Sequence, residues 1–136
     1  MASSKPVPTE SEYADAAALR EALRIFQRRS QEVTAANGLT SRTYQLLLMI
    51  KTARGGNERI GLAEVEERLQ LGKSTVTELV LRSEKHGLVT RELDPDRRRG
   101  ISIRLTAQGE RRLSKAVEEL GDERRSLIEL LSELKT

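Results

Sequence analysis

No cysteine occurs in this sequence, which excludes disulfides, thiolate catalysis, cysteine-based peroxide sensing and cysteine-ligated zinc. A single histidine is too few for a histidine-rich metal site. No stretch approaches the roughly 20 apolar residues that a membrane span needs, and no signal-peptide core follows Met1. The expectation is a soluble, cytoplasmic chain. Aromatics are scarce, at 2%, so Leu, Ile, Val and Ala must fill the interior, and these suit helix packing better than a sandwich. A strong excess of one charge is also missing. Charged residues make up a third of the chain with both signs interspersed, and the net of +3 alone says nothing about nucleic acid. Where the charge sits is what matters. No phosphate-cradling glycine loop, Ser–His–acid set or metal-spaced cluster is present, so no enzyme activity, cofactor or metal is expected.

What is present is concentrated near the middle. Leu88 and Val89 lead into Thr90-Arg91-Glu92-Leu93, then a turn marked by Pro95 and Gly100, then the alternating Ile101, Ile103 and Leu105. That pattern predicts a two-stranded ribbon with side chains alternating in and out, and with Arg97, Arg98 and Arg99 at its protruding end. Two short helices precede it, about Leu62 to Leu69 and about Lys73 to His86, joined by Gln70-Leu71-Gly72. Two helices linked by a three-residue turn containing Gly make a helix-turn-helix. The second is expected to bury Val76, Leu79, Val80 and Ser83, to end at Gly87, and to open with small hydroxyl side chains on its outer face.

Helices flank this unit. Met1 to Glu10, with two prolines, reads as a disordered tail. Residues 11–36 place Ala16, Leu19, Leu23, Phe26, Ser30 and Val33 on one helical stripe, stopped by Asn37-Gly38. A buried helix carrying Tyr44, Leu47, Leu48 and Ile50 follows, then a surface turn at Arg54-Gly55-Gly56-Asn57. After Thr106, which reads as an N-cap, the spacing of Leu113, Val117, Leu120, Arg124, Leu127, Leu131 and Leu134 stays in phase through Gly121, which predicts one helix of about 28 residues, roughly 42 Å long. Such a helix cannot hide its whole seam against a small domain, so a partner chain is expected to cover it, with Arg124 tuning register or pairing across it. The fold class is mainly α with a small β-hairpin wing: a winged helix-turn-helix over 37–106 between dimerisation helices at 11–36 and 107–136.

A polar helix beside an arginine-tipped ribbon suits a duplex, with the helix in a major groove and the arginines on phosphate or in a minor groove. Ser74, Thr75, Thr77 and Glu78 are the base-reading candidates, since hydroxyls meet several base edges and a carboxylate accepts from a cytosine amino group. The plainer alternative is that Ser and Thr cap the helix start while Glu78 favours its first turn. Arg97, Arg98 and Arg99 are the wing candidates, against a solvated charge run as the alternative. Arg82 and Arg91 either touch phosphate or pair with Glu84, Glu92 or Asp94. His86 reads as a helix-end residue.

The order of parts resembles the MarR family of bacterial transcription regulators from about residue 13 onward. The resemblance rests on Asn37-Gly38-Leu39-Thr40, Ser74-Thr75-Val76-Thr77, Gly87-Leu88-Val89-Thr90-Arg91, Asp94-Pro95-Asp96-Arg97-Arg98-Arg99-Gly100 and Leu105-Thr106-Ala107-Gln108-Gly109. It implies a homodimer with interlocking first and last helices, two winged lobes on a pseudo-palindrome, and a pocket between the dimer and DNA lobes for a small, often phenolic effector that weakens DNA binding. Phe26 and Tyr44 could line such a pocket, with core packing as the alternative, and Arg20 or Arg28 could meet a carboxylate on the ligand. Three departures stand out. Arg97 occupies the wing's usual Asp position. In the second helix Glu78 replaces a common base and Leu81 a common Asp. The chain also ends where a sixth helix would start, leaving less dimer surface. The leading reading is a sequence-specific double-stranded-DNA-binding repressor acting as a homodimer and released by a small aromatic anion. The alternative is a winged-helix protein-interaction module, kept open by Glu78 and the small net charge.

Overall fold

The computed structural model describes residues 6–93 and 100–134. Arg97, Arg98 and Arg99 lie outside the described residues, as do 1–5 and 135–136.

Helix α1 (Glu10–Ala36) starts inside the stretch read as a tail. Thr9 caps it: its hydroxyl accepts from the Glu12 amide at 3.1 Å, and the Glu12 carboxylate accepts from the Thr9 amide at 3.3 Å. The pattern Thr9-x-x-Glu12 is a capping box, a signal present in the sequence and passed over. At its other end Gly38, at φ +72°, donates to Ala35 O while Leu39 donates to Thr34 O, a Schellman closure that buries Leu39. Along the expected stripe only Val33 is buried; Leu19, Leu23, Phe26 and Ser30 are half-buried and Ala16 is exposed.

Helix α2 (Ser41–Lys51), capped by Thr40, forms the centre of the core, with Leu46, Leu47 and Ile50 at 0% exposure. It packs against α1, against α3 (Leu62–Leu69) and against the sheet. Helix α4 (Lys73–Lys85) buries Val76, Leu79, Val80 and Ser83 as expected. Gly87, at φ +75°, closes α4 by a second Schellman pair, Gly87 N–H to Glu84 O and Leu88 N–H to Ser83 O.

The ribbon is three-stranded rather than two-stranded. Strand β1 (Ile60–Gly61) pairs antiparallel with β3 (Ile101–Leu105), which pairs on its other edge with β2 (Val89–Leu93). Two residues cannot display an alternation, so β1 left no periodic signal. The in–out alternation of β3 also holds only in part. Ile103 is buried and Leu105 half-buried, but Ile101 is 40% exposed and Ser102 is buried between Gly61 and Glu92. Ile101 pairs with Leu93, itself 82% exposed, at the opposite end of the β2–β3 ladder from the buried Val89.

The expected continuous final helix is two helices. α5 (Ala107–Glu119) ends at Leu120, whose φ −92° and ψ 7° leave the helical region, and α6 (Gly121–Glu133) starts immediately after. Leu120 is pinned in the core at 2% exposure. Gly121 supplies the weak point, and Asp122 and Glu123 in the next turn favour a new helix N-terminus. The seam is re-aimed as a result: Leu113 and Leu120 are buried, Val117, Leu127 and Leu134 half-buried, Arg124 and Leu131 exposed. The sixth helix that the chain was read as lacking is therefore present. Arg124 donates to Val117 O of its own chain at 3.3 Å.

Helix α6 lies along α1, so part of the seam is covered within the chain. Arg29 Nε donates to Glu123 Oε1 across this contact at 2.8 Å. That hydrogen bond holds the Glu123 carboxyl below its ordinary value and raises the Arg29 guanidinium further. The clasp therefore contributes fully above the ordinary carboxylate range and weakens as pH falls through it.

Candidate nucleic-acid interface

The turn between α3 and α4 is built by Gln70 in the left-handed region, φ 55° and ψ 46°, then Leu71 and Gly72. Gly72 is the N-cap of α4 and supplies no capping side chain. Ser74 and Thr75 thus sit inside the first turn, which removes the reading of them as caps. The first-turn amides of α4 find no side-chain acceptor among the described residues, an arrangement suited to a phosphate oxygen.

Ser74, Thr77 and Glu78 are exposed on the outer face of α4, and Thr75 is half-buried at its edge. The Thr77 hydroxyl donates to Lys73 O at 3.0 Å, which leaves its oxygen free to accept. Arg82 is exposed and forms no ion pair with a described residue; it lines a cleft with Thr40, Thr43, His86 and Arg112. Arg91 takes the paired alternative: its Nε donates to Glu84 at 3.0 Å, joining β2 to α4. His86 is the C-cap of α4, as read. On the far face of the sheet Glu92 lies 3.5 Å from Arg104 and 3.7 Å from Arg59, which braces the base of the hairpin.

The helix and the hairpin are locked at a second joint. Thr106 Oγ1 donates to Gly87 O at 2.6 Å and accepts from Gly109 N–H at 3.0 Å, while Thr106 N–H donates to Leu88 O at 3.0 Å. Gly109 then lies so close that a Cβ there would stand 2.2 Å from Leu88 O. The end of α4 and the start of α5 form one rigid corner, and β2 and β3 issue from it.

Phe26 and Tyr44 do not share a cavity among the described clefts. Phe26 lines a groove between α1 and α6 beside Asp122 and Glu123. Tyr44 is buried in the core, and burial raises its hydroxyl above the ordinary value, against an opposing effect of Arg124. Arg20 lies on a shallow surface with Glu21 and Arg24, and Arg28 faces Glu32 at 3.7 Å. No cluster of three or more metal-ligating side chains occurs among the described residues, and none of their helices is long and apolar enough to cross a membrane.

A helix-turn-helix whose second helix runs through a Gly corner into an antiparallel hairpin defines a winged-helix protein. Residues 37–100 match the MarR family model. The fold is shared beyond that segment. AbsC, a MarR family transcriptional regulator from Streptomyces coelicolor, is 24% identical with a TM-score of 0.78, covering 96% of this chain and 90% of that one. A MarR family protein from Bacillus stearothermophilus is 25% identical, TM-score 0.72, covering 92% and 83%. Sco3205, a regulator of the same family from Streptomyces coelicolor seen in complex with DNA, is 22% identical, TM-score 0.74, covering 92% and 78%. No curated protein matches the sequence. The winged-helix segment of this chain is thus similar to the MarR family, and the fold over most of its length is the one these regulators share.

Proposed function

We propose that the chain is a transcription repressor that binds double-stranded DNA sequence-specifically, as a homodimer on a pseudo-palindromic operator. The observation that carries this reading is the outward face of α4, where Ser74, Thr77 and Glu78 are exposed beside a hairpin tied to the same helix by Arg91–Glu84. The DNA complex of the similar regulator Sco3205 supports it. The dimer is supported by apolar side chains left exposed on α1 and α6: Tyr13, Ile25, Ile128 and Leu131.

Selection of bound fragments from a random duplex pool, followed by gel shifts, tests the proposal. Two-fold related lobes should recover half-sites about one helical turn apart. Thr77→Ala should blunt sequence discrimination by about 1–3 kcal/mol per lost base contact while nonspecific affinity is kept. A selection that recovers no shared sequence would sink the reading.

Release by a small aromatic anion belongs to the same proposal, but its chemistry favours a different place from Phe26. Asp122 and Glu123 beside Phe26 would repel an anion. The cleft of about 440 Å³ lined by Arg82, His86, Arg112, Thr40 and Thr43 offers cations and hydroxyls instead. Titration calorimetry with salicylate should give heat that Arg112→Ala abolishes. No heat with the unaltered protein would remove that ligand class.

A further inference from the structure

One large apolar side chain stands on the reading face of α4. Leu81 is 45% exposed. At about 100° per residue, Ser74, Thr77, Glu78 and Lys85 all fall within about 60° of its direction, whereas Leu79 and Ser83 lie on the opposite side. Those two are buried in the core. Single exposed leucines are ordinary, so exposure alone decides nothing; the register does. The other large exposed apolar side chains among the described residues belong to other surfaces: Tyr13, Ile25, Ile128 and Leu131 on α1 and α6, Leu93 and Ile101 paired on the hairpin, and Val7 before α1. Leu81 alone lies in line with the hydroxyls and the carboxylate of the candidate interface.

We propose that Leu81 reads the 5-methyl group of a thymine in the major groove, a contact that rests on the DNA-binding reading above. The thymine methyl is the one apolar group that base edges present there, and a leucine offers no donor or acceptor to any other edge. Set against guanine, adenine or cytosine, it would strip water from polar edge atoms without replacing their hydrogen bonds. Glu78 makes a matching demand, since its carboxylate accepts from a cytosine amino group and is repelled by the acceptor pair of guanine. Leu81 lies about 4.5 Å further along the helix axis than Glu78 and about 6 Å further than Thr77. Base pairs are stacked about 3.4 Å apart, so the methyl contact falls one or two steps beyond the polar ones. The face therefore specifies cytosine and thymine at neighbouring positions of the half-site.

The test uses the full chain and a duplex recovered by selection, with each thymine of the half-site replaced singly by deoxyuridine, which removes only the methyl. One position per half-site should weaken binding about fourfold, the value of one buried methyl group. Leu81→Ala should lose the response at that position while discrimination at the Thr77 and Glu78 positions persists, and Leu81→Val should keep part of it. Sequence-specific binding with no deoxyuridine effect at any position would overturn the Leu81 contact and leave the DNA reading intact. So would an undiminished effect in a folded Leu81→Ala. Failure to retard any duplex at low salt would remove both. The deoxyuridine scan of the unaltered protein needs no variant to fold.

Discussion

Gly109→Ala is expected to destabilise the protein by about 3 kcal/mol, the upper end of what overpacking a tight site costs. Helix propensity alone argues the other way, because alanine inside a helix is better than glycine by about 1 kcal/mol. The contact decides the sign. The new Cβ would stand 2.2 Å from Leu88 O, which is backbone and cannot swing aside as a flexible side chain could. That same carbonyl accepts from Thr106 N–H, and Thr106 also bonds Gly87 O and Gly109 N–H. Moving α5 away strains all three hydrogen bonds at once. Moving Leu88 instead shifts the corner from which the hairpin leaves α4. Thermal unfolding should show a fall of roughly 10 °C for a chain of this size. An unchanged or raised Tm would mean that α5 does not sit against Leu88 as described.

The second large effect concerns charge. Alanine at Arg97, Arg98 and Arg99 together should lower the slope of log affinity against log salt by about two to three units per subunit, at roughly 0.9 per phosphate neutralised. Arg99→Ala alone should lower it by about one unit, with comparable losses on specific and nonspecific duplex. These three residues lie outside the described residues, so the expectation rests on their place in the sequence between paired β2 and β3. Arg91 provides an internal contrast, because its guanidinium is already engaged by Glu84 at 3.0 Å. Arg91→Ala should therefore change the slope less than Arg99→Ala. Gel shifts across a salt series measure both, and an unchanged slope in the triple variant would place the wing off the phosphates.

Much of the architecture was legible because its signals are local. The turn Gln70-Leu71-Gly72, the closure at Gly87, the cap at Thr106 and the buried row of α4 each arise within a few residues of chain, and each is found where it was read. Two readings failed for identifiable reasons. An apolar phase that continues through Gly121 cannot show that Leu120 leaves the helical region, because a one-residue break preserves spacing. Strand β1 is two residues long and acquires its identity only from pairing with β3. Phe26 and Tyr44 share a chemical type, but sequence could not say where each sits: Phe26 lines the α1–α6 groove, while Tyr44 is packed in the core, the alternative given for it. The candidate interface was more legible than its surroundings, since hydroxyls and a carboxylate opposite a buried row declare an outward face. Arg91 could not be settled by sequence, because its choice of Glu84 depends on how β2 crosses α4.

By itself, the order of residues determined the helix-turn-helix, the hairpin after it and the polar face of α4, since these follow from periodicity, capping and turn chemistry along short stretches. Only the tertiary structure decided the third strand, the division at Leu120, the closeness of Gly109 to Leu88 and the exposure of Leu81 on the candidate interface. Those depend on partners distant in the chain, whose packing sets backbone position and exposure in ways that no local pattern encodes.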